Sequence, residues 1–295
     1  MLAKLLGVLS LFALTACAST IAEPSKATAF PASSLAAACQ GRDGWSDPAP
    51  PAHLHGTSYY VGTCGIAAIL IDSGAGLILI DAATPEAGPT ILANIRALGF
   101  DPKNIQILLA THEHHDHAGG LGTVQQASNA AVHALPAAAA ALRAGRPYPT
   151  DPQAAILDPF TPLRVIADLV DGQPLRLGDF SLTPYATPAH SLGSTSFIWQ
   201  SCEGTDCKSI AFMDSLSTPA PANYRFTDHP DQQSRVEQGL EKAATLRCDM
   251  LITPHPSASS LFERFAGNAP LADPMGCTDY AATAQQNFAQ RLAKE

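Results

Sequence analysis

Residues 108–120, LLATHEHHDHAGG, constrain the fold of this chain more than any other segment. A hydrophobic run ends there in four histidines and two acids at six consecutive positions, 112–117. Such a run is typical of a buried β-strand, and titratable side chains directly after it indicate a functional turn at the end of that strand. A solvated polar loop is the alternative interpretation.

The side chains of this turn have the chemistry of metal ligands. In an extended segment alternate side chains point the same way, so His112, His114 and Asp116 share one side. His117, at the start of the following helix, can reach a position beside them. These are too many ligands for one tetrahedral zinc, which takes four groups and commonly keeps one position for water. Two neighbouring metal ions would explain the density.

The other two side chains of the turn, Glu113 and His115, have the opposite parity. We expect them to support the ligands or to face solvent. The zincin pattern H-E-x-x-H starts correctly at His112 but fails, because Asp116 occupies the position of its second histidine.

Two later histidines could complete a site for two metals. His190 lies in ATPAHSLGSTS and His255 in LITPHPSA, each after a Thr-Pro at the end of an apolar strand. Loops at strand ends often carry functional side chains. A lone histidine there is more often structural, but the turn at 112–117 favours a ligand role for both.

The chain from residue 46 onward alternates predicted strands and helices without a linker or a repeat. This pattern predicts one domain, residues 46–295, in which sheets are covered by helices. A Pro-rich loop is expected at 147–162. Strands are predicted within 59–82, at 105–110 and around 163–170, 180–187, 195–201 and 208–213, and helices after Thr84, at 136–144, at 234–247 and at the C-terminus.

The charge of the chain disfavours nucleic acid as a partner. Asp and Glu number 26 against 17 Lys and Arg, which gives a formal net charge of −9. Phosphates would be repelled by this excess, and no basic run compensates for it locally.

The first residues are typical of an export signal. Lys4 precedes an apolar run of about ten residues, which is too short to span a bilayer. The LTAC sequence that follows resembles a bacterial lipobox, whose cleavage after a signal of residues 1–16 would leave Cys17 as a lipidated first residue. Ordinary cleavage of residues 1–18 is the alternative. We expect residues 19–45 to be a tether, and the protein to lie in the periplasm, anchored to the membrane if Cys17 is acylated.

An exported protein reaches an oxidising compartment, where its seven cysteines could form disulfides. Assigning Cys17 to the leader leaves six, which allow 15 pairings in an oxidising compartment. Only Cys202 and Cys207 are close enough to pair on local grounds. Buried free thiols are the alternative, and a zinc knuckle is disfavoured because no C-x-x-C occurs.

Taken together, these motifs resemble those of a known family. The chain contains H-x-H-x-D-H, then T-P-x-H-x-x-G-S around His190, and then a final histidine after a strand, as in the metallo-β-lactamase superfamily. It is more closely similar to the class B, subclass 3 metallo-β-lactamases, which add D-S-L-S, here residues 214–217, and P-H-P-S, here residues 254–257. The similarity runs from about Gly44 to the C-terminus.

This resemblance implies a fold, a ligand set and a pairing of cysteines. The implied fold is an α/β αββα sandwich with two zinc ions at one edge, between the sheets. Ser215 stands where the other large subclass has a cysteine ligand. The implied ligands are His112, His114 and His190 for the first zinc and Asp116, His117 and His255 for the second, and the implied disulfides are Cys39–Cys64, Cys202–Cys207 and Cys248–Cys277.

The function implied by the resemblance is hydrolysis of β-lactam antibiotics. A hydroxide shared by two zincs would attack the amide carbonyl, and Asp116 would both bind metal and orient this nucleophile. Ser215 and Ser217, and less directly Gln153, are candidates for holding the substrate. We expect a small-molecule β-lactam as the substrate and otherwise a monomer.

Two other functions remain open from the sequence. A thioesterase resembling glyoxalase II, or a lactonase, would use a carboxylate that bridges both metals, and Asp214 could take that part. The leader and the six cysteines left after Cys17 argue against a cytosolic glutathione thioesterase, as do the 40 residues after His255, too few for its helical substrate domain. The other function is that of a non-catalytic zinc-binding lipoprotein. A turnover assay distinguishes it from an enzyme, because it would bind zinc without hydrolysis.

Overall fold

A computed structural model describes residues 29–295 of the chain. The predicted signal and Cys17 lie outside this range. Within it, no helix is both long and apolar enough to cross a membrane.

The first sheet has seven strands in sequence order, β1 to β7. Its first four strands pair antiparallel, and the pairs from β4 to β7 are parallel. All four residues of β4 are buried, as expected for a strand covered on both faces. The strands are β1 (Ala52–His55), β2 (Ser58–Tyr60), β3 (Ile69–Asp72), β4 (Leu77–Ile80), β5 (Ile105–Leu109), β6 (Ala131–His133) and β7 (Val165–Ile166).

The second sheet has five strands in the order β12-β11-β10-β9-β8. Its pairs are antiparallel except for β11 and β12, which run parallel. The strands are β8 (Leu175–Leu177), β9 (Phe180–Ala186), β10 (Thr195–Glu203), β11 (Asp206–Phe212) and β12 (Met250–Ile252).

Helices cover the outer faces of both sheets. Alternation along the strands sends Ile78 and Ile80 into the core between the sheets and Leu77 and Leu79 into a second core beneath helices. A third core lies between the other sheet and the last long helices. The helices are α1 (Ala32–Ala38), α2 (Gly88–Ala97), α3 (His115–Ala118), α4 (Leu121–Ser128), α5 (Pro136–Ala144), α6 (Pro230–Thr245), α7 (Leu261–Phe265) and α8 (Gly276–Leu292).

This architecture confirms the expected αββα sandwich in one domain. The predicted helix at 136–144 has the observed bounds of α5. The helix expected after Thr84 begins only at Gly88, because a 3₁₀ turn (Pro85–Ala87) precedes α2. The Thr84 side chain does not cap that turn; its hydroxyl lies 2.7 Å from that of Ser46.

The segment predicted as a tether, residues 19–45, differs from the expectation where it is described. Its composition of Ala, Ser and Pro suggested a linker, but α1 folds onto the domain from Ala32 onward. Leu35 is fully buried in the core between the sheets, and Cys39 is bonded to Cys64 in the loop between β2 and β3. The folded domain therefore begins before residue 46.

The three expected disulfides are present; Cys202–Cys207 closes the hairpin between β10 and β11, and the other two join segments 25 and 29 residues apart. They are Cys39–Cys64, Cys202–Cys207 and Cys248–Cys277.

Candidate metal centre

The predicted ligands and Asp214 come from loops that follow four strands at one edge of the sandwich. β5 leads directly into the 112–117 turn, and β9 is followed by the loop that carries His190. β11 and β12 lead into Asp214 and His255. Functional side chains collect at such an edge because the sheets hold the loop ends rigidly.

The first group consists of His112, His114 and His190. One ring nitrogen from each lies within 4.8 Å of the others, and all three side chains are buried. His114 Nδ1 is 3.2 Å from His190 Nε2, and His112 Nε2 has no hydrogen-bond partner among the described residues. Buried nitrogens that converge without a partner carry a free-energy cost, which a bound cation would remove.

In each of these three rings, the nitrogen that points away from the group contacts an acceptor. This contact decides which nitrogen carries the proton and which keeps its lone pair for a metal. His112 Nδ1 lies 2.8 Å from Asp214 Oδ1, and His114 Nε2 lies 2.9 Å from Asp151 Oδ2. His190 Nδ1 donates to the carbonyl oxygen of Ser217 at 2.9 Å. Each acceptor holds the ring proton on the outer nitrogen, so the inner nitrogens are lone-pair donors, as in metal-binding histidines.

The second group consists of Asp116, His117 and His255. Asp116 Oδ2 is 3.1 Å from His117 Nε2 and 3.5 Å from His255 Nε2. Ligand atoms of His112, Asp116 and His117 also lie within 4.8 Å of one another, so the two groups adjoin. The structure thus brings together all six residues predicted as ligands.

Burial and mutual charges set the ionisation of the ligand groups. Burial lowers the pKa of both His112 and His190 well below the usual value, and neighbouring imidazoles add to this effect. Burial opposes ionisation of Asp116, but the nearby His117 outweighs it and holds the pKa of the carboxyl low. Burial would likewise lower the pKa of His117, but Asp116 and Asp81 raise it to about 10. Burial and the His117 charge lower the pKa of His255 to about 4.

Asp81 was not predicted from the sequence. Its carboxylate accepts hydrogen bonds from the Thr111 amide and hydroxyl, both at 2.7 Å, and lies 3.5 Å from His117 Nδ1. Asp81 and Ala83 both have positive φ, 60° and 57°, which is unusual for residues with a side chain. Backbone strain of this kind collects where a structure holds a functional geometry.

Glu113 belongs to the supporting side chains, as its parity suggested. It is fully buried, and it accepts hydrogen bonds from Ser191 Oγ at 2.8 Å and from the Gly193 amide at 3.1 Å. These bonds fasten the His190 loop to the turn. His115 lies at the surface side of the turn, with its ring 5.6 Å from that of Trp45.

Trp45 is the second residue that sequence reasoning missed. Its ring centroid is 6.0 Å from that of His255, and 43% of the residue is exposed. It therefore forms an apolar wall beside the second group. Its position at the end of the expected tether gave no signal of this role.

The predicted substrate contacts lie in two different segments of the chain, one between α5 and β7 and one after β11. Gln153 is nearly buried, and its Nε2 has no partner among the described residues. Ser215 and Ser217 line a cavity of about 420 Å³ that extends from His255 to α8. Asp214 contacts the outer nitrogen of the His112 ring and does not lie among the inner ligand atoms, so it is not placed as a bridging ligand.

Comparison with known proteins agrees with this geometry. Residues 61–203 match the family model of the metallo-beta-lactamase superfamily. The crystal structure of the metallo-β-lactamase MIM-1 from Novosphingobium pentaromativorans is 48% identical over 89% of this chain and 97% of that chain, with a TM-score of 0.86. MEM-A1, a subclass B3 metallo-β-lactamase from a soil metagenome library, is 35% identical over 85% of this chain and 98% of that chain, with a TM-score of 0.81.

The match to a human relative spans only part of that protein. Metallo-beta-lactamase domain-containing protein 1 of Homo sapiens is 31% identical over 129 residues, which are 44% of this chain and 40% of that protein. The chain thus spans well under half of this curated relative. On the combined matches, this chain belongs to the metallo-β-lactamase superfamily and, within it, to subclass B3.

Proposed function

We propose that the protein hydrolyses the amide bond of β-lactams with two zinc ions. The observation that carries this proposal is the pair of adjoining ligand groups, six side chains with their inner donor atoms converging. The solved relatives MIM-1, MIM-2 and MEM-A1 are metallo-β-lactamases, which supports the substrate class.

The donor set suits zinc. Five imidazoles and one carboxylate are borderline ligands that zinc accepts at about 2.0–2.2 Å in sites that keep a position open. His112, His114 and His190 would hold one ion, and Asp116, His117 and His255 the other. Zinc supplies Lewis acidity and a nucleophile that exists at neutral pH without a separate general base.

The chain's own residues would then orient and bind. Asp116 is the proposed catalytic residue: its carboxylate lies between His117 and His255, where it can fix the nucleophile as well as a metal. Ser215 and Ser217, which line the cavity, offer hydroxyl donors for the carboxylate of penicillins, cephalosporins and carbapenems. Gln153 offers its Nε2, which has no hydrogen-bond partner among the described residues.

The cellular setting is part of the same proposal. The export signal favours the periplasm, with a lipid anchor if Cys17 is acylated, and three disulfides suit an oxidising compartment. We propose a monomer, because the ligand set is complete within one chain.

The test follows the absorbance of a carbapenem and a cephalosporin with purified, zinc-loaded protein, with and without a chelator. We expect rapid loss of absorbance that the chelator abolishes and added zinc restores. Asp116→Asn should lose most of the turnover, whereas Asp158→Asn, an exposed change of the same kind, should not. Hydrolysis of a lactone or thioester without loss of either β-lactam would refute the proposal.

A further inference from the structure

Asp151 connects the first metal group to the segment that carries Gln153. Its side chain is only 3% exposed, although it lies in the Pro-rich stretch between α5 and β7. One carboxylate oxygen, Oδ2, is 2.9 Å from His114 Nε2. The other, Oδ1, accepts the backbone amide of Gln153 at 2.7 Å. One carboxylate therefore holds a metal ligand and a candidate substrate contact together.

The bond to His114 has a definite direction. His114 presents Nδ1 to the ligand group, so its proton lies on Nε2 and must be donated outward. A buried carboxylate is the strongest neutral-pH acceptor for that proton, and it makes the ring a better metal donor.

The bond to Gln153 orders a short turn. Gln153 begins a helical turn in which its carbonyl accepts the amides of Ile156 and Leu157, at 2.9 and 3.1 Å. Asp151 closes the start of this turn, and its own amide donates to the Tyr148 carbonyl at 2.9 Å. The backbone hydrogen bonds described here stay within the segment around Gln153, and the Asp151 carboxylate connects this segment to the 112–117 turn.

We propose that Asp151 is a positioning residue that couples the first metal to the Gln153 segment. Occupation of His114 by a metal orders Asp151, and Asp151 in turn fixes where the Gln153 side chain meets the substrate. This inference rests on the proposed function for its substrate, but its metal half does not need one. An amide has a single oxygen, so Asp151→Asn can satisfy only one of the two donors.

The first arm measures metal alone. Zinc is titrated against a competing chelator for the wild type, Asp151→Asn, Asp151→Ala and the control Asp158→Asn, and the spectra of the cobalt-loaded proteins are compared. We expect Asp151→Asn to lose about 10- to 100-fold in affinity at one of the two sites and to change the cobalt spectrum. Asp158→Asn, exposed in the same segment, should match the wild type.

The second arm measures coupling to the substrate. At saturating zinc, Asp151→Asn should raise KM for a β-lactam, and Gln153→Ala should raise it less in the Asp151→Asn background than in the wild type. Thermal unfolding of the metal-free proteins checks that the variants fold. If Asp151→Asn does not fold, Asp151→Ala takes its place in both measurements.

Two results would overturn the inference. Wild-type metal affinity and spectrum in the folded Asp151 variants would exclude the support of His114, and strictly additive KM effects would exclude the link to Gln153. A wild type that fails to hydrolyse β-lactams would defeat the proposed function instead, and the metal arm would still decide the role of Asp151.

Discussion

The buried carboxylate of Glu113 gives the sharpest stability prediction. It is fully buried between the 112–117 turn and the His190 loop, where Ser191 Oγ and the Gly193 amide donate to its two oxygens. The fit is close, because a Cβ built on Gly193 would lie 2.3 Å from Glu113 Oε2. Truncation to Ala removes both acceptors at once, whereas Gln keeps the shape.

The expected cost follows from the donors left behind. An unsatisfied buried donor costs about 1–3 kcal/mol. In Glu113→Ala the Gly193 amide loses its partner, while the Ser191 hydroxyl can turn to Ser194 Oγ, 3.2 Å away. With the void added, we expect the free energy of unfolding to fall by about 2–4 kcal/mol. In Glu113→Gln the amide oxygen can accept from Gly193 and its NH₂ can donate to Ser191, so the loss should stay near 1 kcal/mol.

Denaturant unfolding of the metal-free variants measures both values. Glu86→Ala, an exposed glutamate just before α2, is the control and should lie within about 0.5 kcal/mol of the wild type. Because the same bonds hold the His190 loop, Glu113→Ala should also bind zinc more weakly. The reasoning fails if Glu113→Ala is as stable as the control, or if Glu113→Gln is as damaging as Glu113→Ala.

Three further predictions concern the centre and the disulfides. As pH falls from 8 to 6, metal should leave the second group first. The pKa of His117 is raised to about 10, so zinc must displace a proton from this ring, and affinity should fall about tenfold per pH unit. Burial lowers the pKa of His112 and His190 and keeps them neutral, so equal metal loss from both groups in metal analysis would contradict the prediction. Asp214→Asn should lower zinc affinity about 10- to 100-fold by weakening its bond to His112, and unchanged affinity in chelator competition would refute that role. Replacing Cys248 and Cys277 by Ser should lower the free energy of unfolding by about 3–4 kcal/mol, and replacing Cys202 and Cys207 by about 2 kcal/mol. The difference is expected because the first disulfide closes a loop of 29 residues and the second a loop of 5. The reverse order would contradict the chain-entropy argument.

The ligands could be predicted because their signal is local. His112, His114, Asp116 and His117 stand within one turn, and the parity of an extended strand end is enough to place them on one side. The sandwich followed from alternating elements and from the resemblance. The predicted bounds of α5 held since Pro136 fixes its start and Gly145, in a left-handed conformation, its end.

The carboxylates that contact the outer ring nitrogens of His112 and His114 could not be assigned that role because they are distant in sequence from these histidines. Asp151 meets His114 across 37 residues, and Asp214 meets His112 across 102. Trp45 and α1 were hidden for a different reason. A stretch rich in Ala, Ser and Pro reads as a linker, and only Leu35 and the Cys39–Cys64 bond show that it is packed.

The account's central claim is that both ligand groups hold zinc and act together on a β-lactam. Its most direct test titrates zinc into metal-free protein while the initial rate of carbapenem hydrolysis and the bound zinc per chain are measured on the same samples. We predict no turnover without metal and a rate that rises to its maximum as bound zinc reaches two per chain. Two bound zincs with no hydrolysis of any β-lactam, or full turnover in the metal-free protein, would contradict the account.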